Sequence, residues 1–381
     1  GITKITVEGF KSIAKKQSIE IRPLTILAGA NSSGKSSIMQ PLLLLKQTME
    51  CRYDPGPLNL KDPNVSFTSP EQFLSRIKGS SADRSLSIDV GIGDSSGLFT
   101  KFEKKDKKDI DLIEQTYRMR SVELPLRSDM SHDEIAALPV SKLLFERWNE
   151  NDSLKEARWR IRRDRCFLRI WLEKQKDDHT ETVGIPLGFL TNAYCEHFIT
   201  DVIHVPGLRG NPARIYPKTA TGPEFPGTFE SYTASVITDW KLKNDQRLDL
   251  LGADLKKLGL TWKVDPVERD ATSIEIRVGR LRRAAKGGGE DLVNIADVGF
   301  GVSQVLPVLV ALLAAKPGQL VYLEQPEIHL HPRAQVALAE ILADAAKRAG
   351  AGKVTAVVPY LAYARQDKMF LSGEGISVET V

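Results

Sequence analysis

The sequence predicts an α/β fold, a mixed sheet with flanking helices, in which the two ends of the chain build one sheet and the middle forms a β-rich, charged insertion arm. Three observations carry that expectation. An almost unbroken apolar run at residues 24–28 leads into a Gly/Ser-rich turn and then an apolar helical stretch from residue 37 to about 49, the order of a buried strand, a loop and a crossover helix. Near the other end, apolar strands at 320–323 and 354–358 alternate with helical stretches at 305–315 and 334–349, and that alternation implies a parallel sheet. Between these ends the composition shifts: residues 101–109 read Lys-Phe-Glu-Lys-Lys-Asp-Lys-Lys-Asp, and charge stays dense as far as 176–178.

Taken in order, residues 2–10 and 17–22 alternate apolar and polar side chains, as half-exposed strands do. Inside the charged region, 157–163 and 165–172 read as strands whose arginines stand between aromatic and aliphatic residues. A Pro/Gly-rich stretch at 206–228 ends near a helical segment at 232–242, and a loop with Lys286-Gly287-Gly288-Gly289 follows later. The expected division is 1–98 and 193–353 for the two parts of the head, 99–192 for the arm, and 354–381 for a last strand and tail.

A length of 381 residues exceeds a usual single domain and allows a head with an insertion. Lys+Arg 53 against Asp+Glu 49 gives a net charge of +4, which excludes a uniformly basic nucleic-acid coat protein. No apolar run approaches the roughly 20 residues that span a bilayer, and Lys4, Glu8, Lys11, Lys15 and Lys16 interrupt any signal-like start. Cys51, Cys166 and Cys195 are widely spaced, which argues against a zinc ribbon or a disulfide framework. A soluble cytoplasmic protein is expected.

Gly29-Ala30-Asn31-Ser32-Ser33-Gly34-Lys35-Ser36 has the spacing G-x-x-x-x-G-K-[ST]. Its glycines let successive backbone N–H groups point at phosphates, Lys35 reaches the β/γ oxygens of ATP, and the Ser36 hydroxyl completes a Mg²⁺ shell. Ser37 extends the same turn. The complement is Gln319-Leu320-Val321-Tyr322-Leu323-Glu324, an apolar strand ending in a carboxylate. Such a strand end holds Mg²⁺ across from Ser36, which makes Glu324 the second metal residue.

These segments, with Val7-Glu8-Gly9-Phe10-Lys11-Ser12 at the start and Pro326-Glu327-Ile328-His329-Leu330-His331-Pro332 after Glu324, resemble the ABC/SMC-like P-loop ATPases of the RecF and OLD type, an AAA-family group with many anti-phage defence ATPases. The likeness covers roughly residues 1–75 and 290–345, and weakly 206–214. It implies a homodimer in which two heads sandwich two ATP molecules. It also implies a signature segment facing the partner's γ-phosphate, and Val298-Gly299-Phe300-Gly301-Val302-Ser303-Gln304 stands where one is expected. Gly301 exposes backbone N–H, and Ser303 adds a hydroxyl at a helix start.

Three departures from the family matter. Where it has Asp-Glu this chain has Glu324-Gln325; Gln325 orients water through its carbonyl but takes no proton, so slow hydrolysis is expected, with Glu327 as an alternative base. The histidine expected after the following strand is absent, since the chain reads Val357-Val358-Pro359-Tyr360-Leu361. Glu327, His329 and His331 have a spacing that suits a metal, and the favoured reading for them is packing. Finally, the segment from Val354, with Ala364-Arg365-Gln366-Asp367, resembles a fragment of archaeal-type ribose-phosphate pyrophosphokinase, without that enzyme's ribose-phosphate loop.

The arginines at 158–169 and the group Arg277, Arg280, Arg282, Arg283 and Lys286 offer phosphate contacts or a solvated ion-paired face in equal measure. Gln72 is the candidate Mg²⁺-sensing glutamine, with Gln40 and Gln47 as alternatives. The combined expectation is a dimeric ATP switch acting on a nuclease, toxin or DNA partner. The alternatives are a non-hydrolysing ATP-binding scaffold and a pyrophosphokinase relative.

Overall fold

The computed structural model describes residues 1–29, 33–76, 84–105, 109–120, 122–139, 157–176, 179–182, 189–281 and 291–348. The chain divides into two compact units, residues 1–21 with 31–200 and residues 22–30 with 201–381. The expected strand at 354–358, the tail and the Gly287-Gly288-Gly289 loop lie outside the described residues.

In the first unit a six-stranded antiparallel sheet runs in the order β2-β1-β3-β4-β5-β6, formed by β1 Ile2–Glu8, β2 Gln17–Glu20, β3 Ser85–Ile92, β4 Ser96–Lys104, β5 Ile110–Met119 and β6 Val122–Arg127. Period-two patterning drives it: in β3, Leu86, Ile88, Val90 and Ile92 are buried while the residues between them are half-exposed. Helix α1, Lys35–Met49, contacts β1 on one side and a later helix, Phe189–Thr200, on another. Enclosure on both sides explains why Leu42, Leu43, Leu44 and Leu45, which circle the helix, are all fully buried.

The expected boundary between residues 98 and 99 falls inside β4, which is laddered to β3 from Ser96 to Glu103. Residues 101–104 of the charge run are thus the end of β4. Charge density alone predicts a domain border there because it looks alike at a hairpin end and at a linker. The arginine-rich strands form as expected: β7 Arg158–Asp164, β8 Phe167–Lys176 and β9 His179–Thr182 make an antiparallel sheet in that order. A short helix, α2 His132–Ala136, capped reciprocally by Ser131 and Glu134, contacts β7. The helix Phe189–Thr200 is α3.

In the second unit, β10 Ile203–Val205 is buried and pairs in parallel with β15 Val321–Leu323, matching His204 to Tyr322. A second sheet orders β11 Tyr216–Pro217, β13 Ser273–Gly279 and β12 Val264–Glu268, with β14 Leu292–Asn294 also on β13. Around them lie α4 Thr233–Leu242, α5 Arg247–Lys257, α6 Phe300–Ala314 and α7 Pro332–Arg348. Helix α6 is apolar all round, with Val305, Val308, Leu309, Val310 and Ala311 fully buried, so it runs through the core. Helix α7 buries only Ala334, Leu338, Ile341 and Ala346, the one-sided spacing of a covering helix. No helix among the described residues is long and apolar enough to cross a membrane.

One expected element is missing. Residues 24–28 form no strand and are half-buried or exposed. Pro23 removes an N–H from any ladder, and the Thr25 hydroxyl accepts the Arg22 N–H at 2.9 Å, a local turn that competes with extended pairing.

Candidate functional site

Of the phosphate-loop residues, Gly34, Lys35 and Ser36 open α1 in the first unit, while Gly29 belongs to the second. Gly34 has φ +96°, and a Cβ there would sit 3.0 Å from Ser12 Oγ, so the turn into the helix requires glycine. Gly29 has φ +153°, while Ala30, Asn31 and Ser32 lie outside the described residues. Ser33 and Ser36 are exposed, and Lys35 and Ser37 are half-buried. The first turn of α1 holds no acidic side chain and no side-chain cap, which suits an anion at its N–H groups.

Lys11 and Ser12 stand beside this turn, and no role was read for either in the sequence. Lys11 has φ +48°, and its backbone N–H donates to Phe73 O at 2.6 Å. Its Nζ donates to Gln40 Oε1 at 2.7 Å and lies 4.9 Å and 5.6 Å from the ring centres of Phe67 and Phe10. Burial lowers its pKa. The signal was present in Phe10-Lys11-Ser12, but only the fold of residues 9–13 and 67–73 brings it to Gln40.

The glutamine candidates separate. Gln47 is fully buried, and its amide is held by Asn59 O, Val65 O and Val65 N, a structural role. Gln40 accepts from Lys11. Gln72 closes a loop on itself, accepting the Thr68 N–H and donating to Thr68 Oγ1, both at 2.8 Å.

Glu324 belongs to the second unit. Glu324 continues β15, its N–H donating to Val205 O at 3.0 Å. Its Oε1 accepts the Tyr322 hydroxyl at 2.9 Å, and its Oε2 accepts the Gly207 N–H at 3.2 Å. Tyr322 is stacked on His204 at 5.4 Å. The backbone here is fixed by Arg209, which is 7% exposed: Nη1 donates to Pro206 O at 2.9 Å and Glu324 O at 3.0 Å, and Nη2 donates to Gln325 O at 2.9 Å. Burial lowers the Arg209 pKa against the opposing charges of Glu230, Glu327 and Glu324. Gln325 is exposed at φ +44°. A Cβ on Gly207 would lie 2.9 Å from Gln325 Oε1, so that glycine makes room for the glutamine side chain.

The expected signature segment opens α6 in the same unit. Ser303 Oγ donates to Phe300 O at 3.0 Å. Gly301 faces Leu260, His329 O and Leu330, and the Phe300 and His329 rings are 6.0 Å apart. One turn on, buried Gln304 donates to Arg209 O at 3.0 Å and Gly210 O at 2.8 Å. Arg209 therefore touches Glu324 and Gln325 through its side chain and α6 through its carbonyl. His331 accepts the Arg333 N–H at 3.3 Å at the start of α7, which gives it a capping role. Among the described residues no three His, Cys, Asp or Glu side chains converge on a metal position. Glu327 is exposed. Cys166 and Cys195 are buried, with burial pushing the Cys195 thiol up to about 12.

Two family profiles match the chain in succession. One, described as "AAA ATPase domain", matches residues 1–177; the other, described as "AAA domain, putative AbiEii toxin, Type IV TA system", matches residues 203–357. The chain is also similar to ribose-phosphate pyrophosphokinases of Saccharolobus solfataricus, 51% identical over 41 residues, and of Aeropyrum pernix, 49% identical over 41 residues. Those matches take 11% of this chain and span only 14% and 13% of the two relatives. Among solved structures, the SMC head domain from Thermotoga maritima is similar over 91% of this chain and 85% of that one, at 11% identity and a TM-score of 0.36. With one AAA profile over Gly29–Ser36 and the other over Glu324, together spanning most of its length, the chain belongs to the AAA-family P-loop ATPases.

Proposed function

We propose that this ATPase is a nucleotide switch: two copies close on two Mg-ATP, hydrolyse them slowly, and pass the change to an effector of the nuclease or toxin kind, in anti-phage defence or DNA repair. Lys35 and the amides of residues 29–37 hold the phosphates. Ser36 and Glu324 hold Mg²⁺, which when bound neutralises phosphate charge. Gly301 and Ser303 meet the nucleotide of the partner copy at the α6 N-terminus. Gln325 orients water without accepting its proton, and Glu327 is the alternative base.

The observation that carries the reading is the seat of Glu324. Its two oxygens are aimed by Tyr322 and Gly207, and its backbone is held by Arg209, a degree of order beyond what an acidic turn at a strand end needs. Gln325 favours a second reading, an ATP-binding scaffold that does not turn over. The test follows ADP release and, by light scattering, the mass of the protein with and without Mg-ATP. Multiple turnovers and an ATP-dependent pair are expected from the switch, with a rise of about tenfold or more for Gln325→Glu. A protein that pairs on ATP and never releases ADP is the scaffold. No rise for Gln325→Glu removes Gln325 as the limit on chemistry.

A further inference from the structure

We infer that one face of the β7-β8-β9 sheet binds a single-stranded polynucleotide, with Arg158 and Arg160 on successive phosphates and Trp171 stacked on a base. The inference deepens the proposed DNA-linked output and rests on that reading only for its consequence, because the residues involved are separate from the nucleotide site. Alternation on β7 turns Trp159 inward, 1% exposed, opposite buried Leu172, and sets Ile161 opposite buried Ile170. The other face then collects Arg158 opposite Glu173, Arg160 opposite Trp171, and Arg162 opposite Arg169. Arg158, Arg160 and Arg162 are all exposed.

An ion-paired surface strand would give each guanidinium a carboxylate. Here Arg162 pairs with Glu173 and Arg169 with Asp164, whereas Arg158 and Arg160 make no hydrogen bond or ion pair with any described residue. Alternate residues of a strand stand about 6.8 Å apart, close to the separation of neighbouring phosphates along one nucleic-acid strand. Trp171 is half-buried, with its indole N–H buried and unpartnered. What it offers the face is ring carbon, the surface on which an unpaired base stacks. A duplex hides its base planes, so a sheet face that alternates arginine with an aromatic ring suits a single strand.

The test uses the full chain without ATP, so that its outcome does not depend on the ATPase reading, and follows the fluorescence anisotropy of a labelled 20-nucleotide oligothymidylate. With two phosphates contacted, affinity falls about sevenfold between 50 and 200 mM salt. The paired substitution Arg158→Gln and Arg160→Gln, at exposed unpaired positions that leave the fold intact, weakens binding about tenfold or more and lowers the log–log salt slope by about 1.4. Trp171→Leu weakens it about fivefold or more, while Trp171→Phe, which keeps a stacking ring, restores most of the loss. Absence of oligothymidylate binding at low salt overturns the inference. So does equal binding of a duplex or of polyglutamate, or unchanged affinity in the double variant.

Discussion

Glu324 has its carboxylate oxygens on Tyr322 and Gly207 and its carbonyl on Arg209; Ser36, which the proposed function pairs with it, stands exposed at the first turn of a helix without a side-chain cap. The contrast follows from what each half does. A carboxylate must be aimed before its ion arrives, because reorienting a charged group during the reaction raises the barrier. A phosphate loop recognises its ligand through backbone N–H groups, so glycine at Gly34 matters more there than a lattice of side chains. In the proposed switch one half is ordered by the protein and the other by its ligand. The sharpest break of this comparison is Lys35→Ala. It is expected to weaken ATP binding about 100-fold or more, read by titration with a fluorescent ATP analogue, while leaving the melting temperature nearly unchanged, because Lys35 is half-buried at a helix end. Normal affinity in that variant would remove the loop from the site.

On the carboxylate half the opposite pattern is expected. Gln304→Leu removes the two hydrogen bonds that tie α6 to the Arg209 and Gly210 carbonyls, leaving buried acceptors at a loss of about 1–3 kcal/mol. Stability and turnover fall together, with kcat down about tenfold and ATP affinity unchanged. Arg209→Lys keeps the charge but reaches fewer of the three carbonyls that the guanidinium fork spans, so it repeats the kcat loss with a smaller loss of stability. A change in ATP affinity larger than the change in kcat would mean that Arg209 organises the loop half as well. Tyr322→Phe removes one hydrogen bond from Glu324 and is expected to raise the Mg²⁺ concentration for half-maximal activity about threefold to tenfold.

The same division decides what was legible in the sequence. The apolar strand before Glu324 and the helices expected at 305–315 and 334–349, found at 300–314 and 332–348, are local patterns of spacing and periodicity, and they were readable. The alternation of arginine with apolar residues likewise announced β7 and β8. The strand expected at 24–28 failed because an apolar run states only that a segment wants burial, while the Thr25–Arg22 turn and Pro23 decide its backbone. Arg209 and Gln304 were not legible, since nothing in either residue type points to carbonyls more than 90 residues away. Lys11 was visible but gained a role only when Phe10, Phe67 and Phe73 clustered around it. Side chains that touch ligand through motif spacing are written locally; those that position them are written in the tertiary fold.

The smallest effect concerns the acid behind the Arg209 clamp. Glu230 lies in the carboxylate half, with one oxygen buried and unpartnered. Burial raises its pKa above the usual carboxylate value of 4.5, with Arg209 pulling the other way. A folded-state pKa above the unfolded one means that the native protein binds this proton more tightly. The resulting stability is fully present below the unfolded value of 4.5 and is lost as pH rises through the raised folded value. Glu230→Gln cannot ionise, so its melting temperature should vary less with pH above 4.5 than that of the parent. Near neutral pH the variant should gain no more than about 4 °C. A variant that melts lower than the parent at neutral pH would show that the ionised carboxylate is what keeps Arg209 in place, and the carboxylate half would then be held by charge as well as by hydrogen bonds.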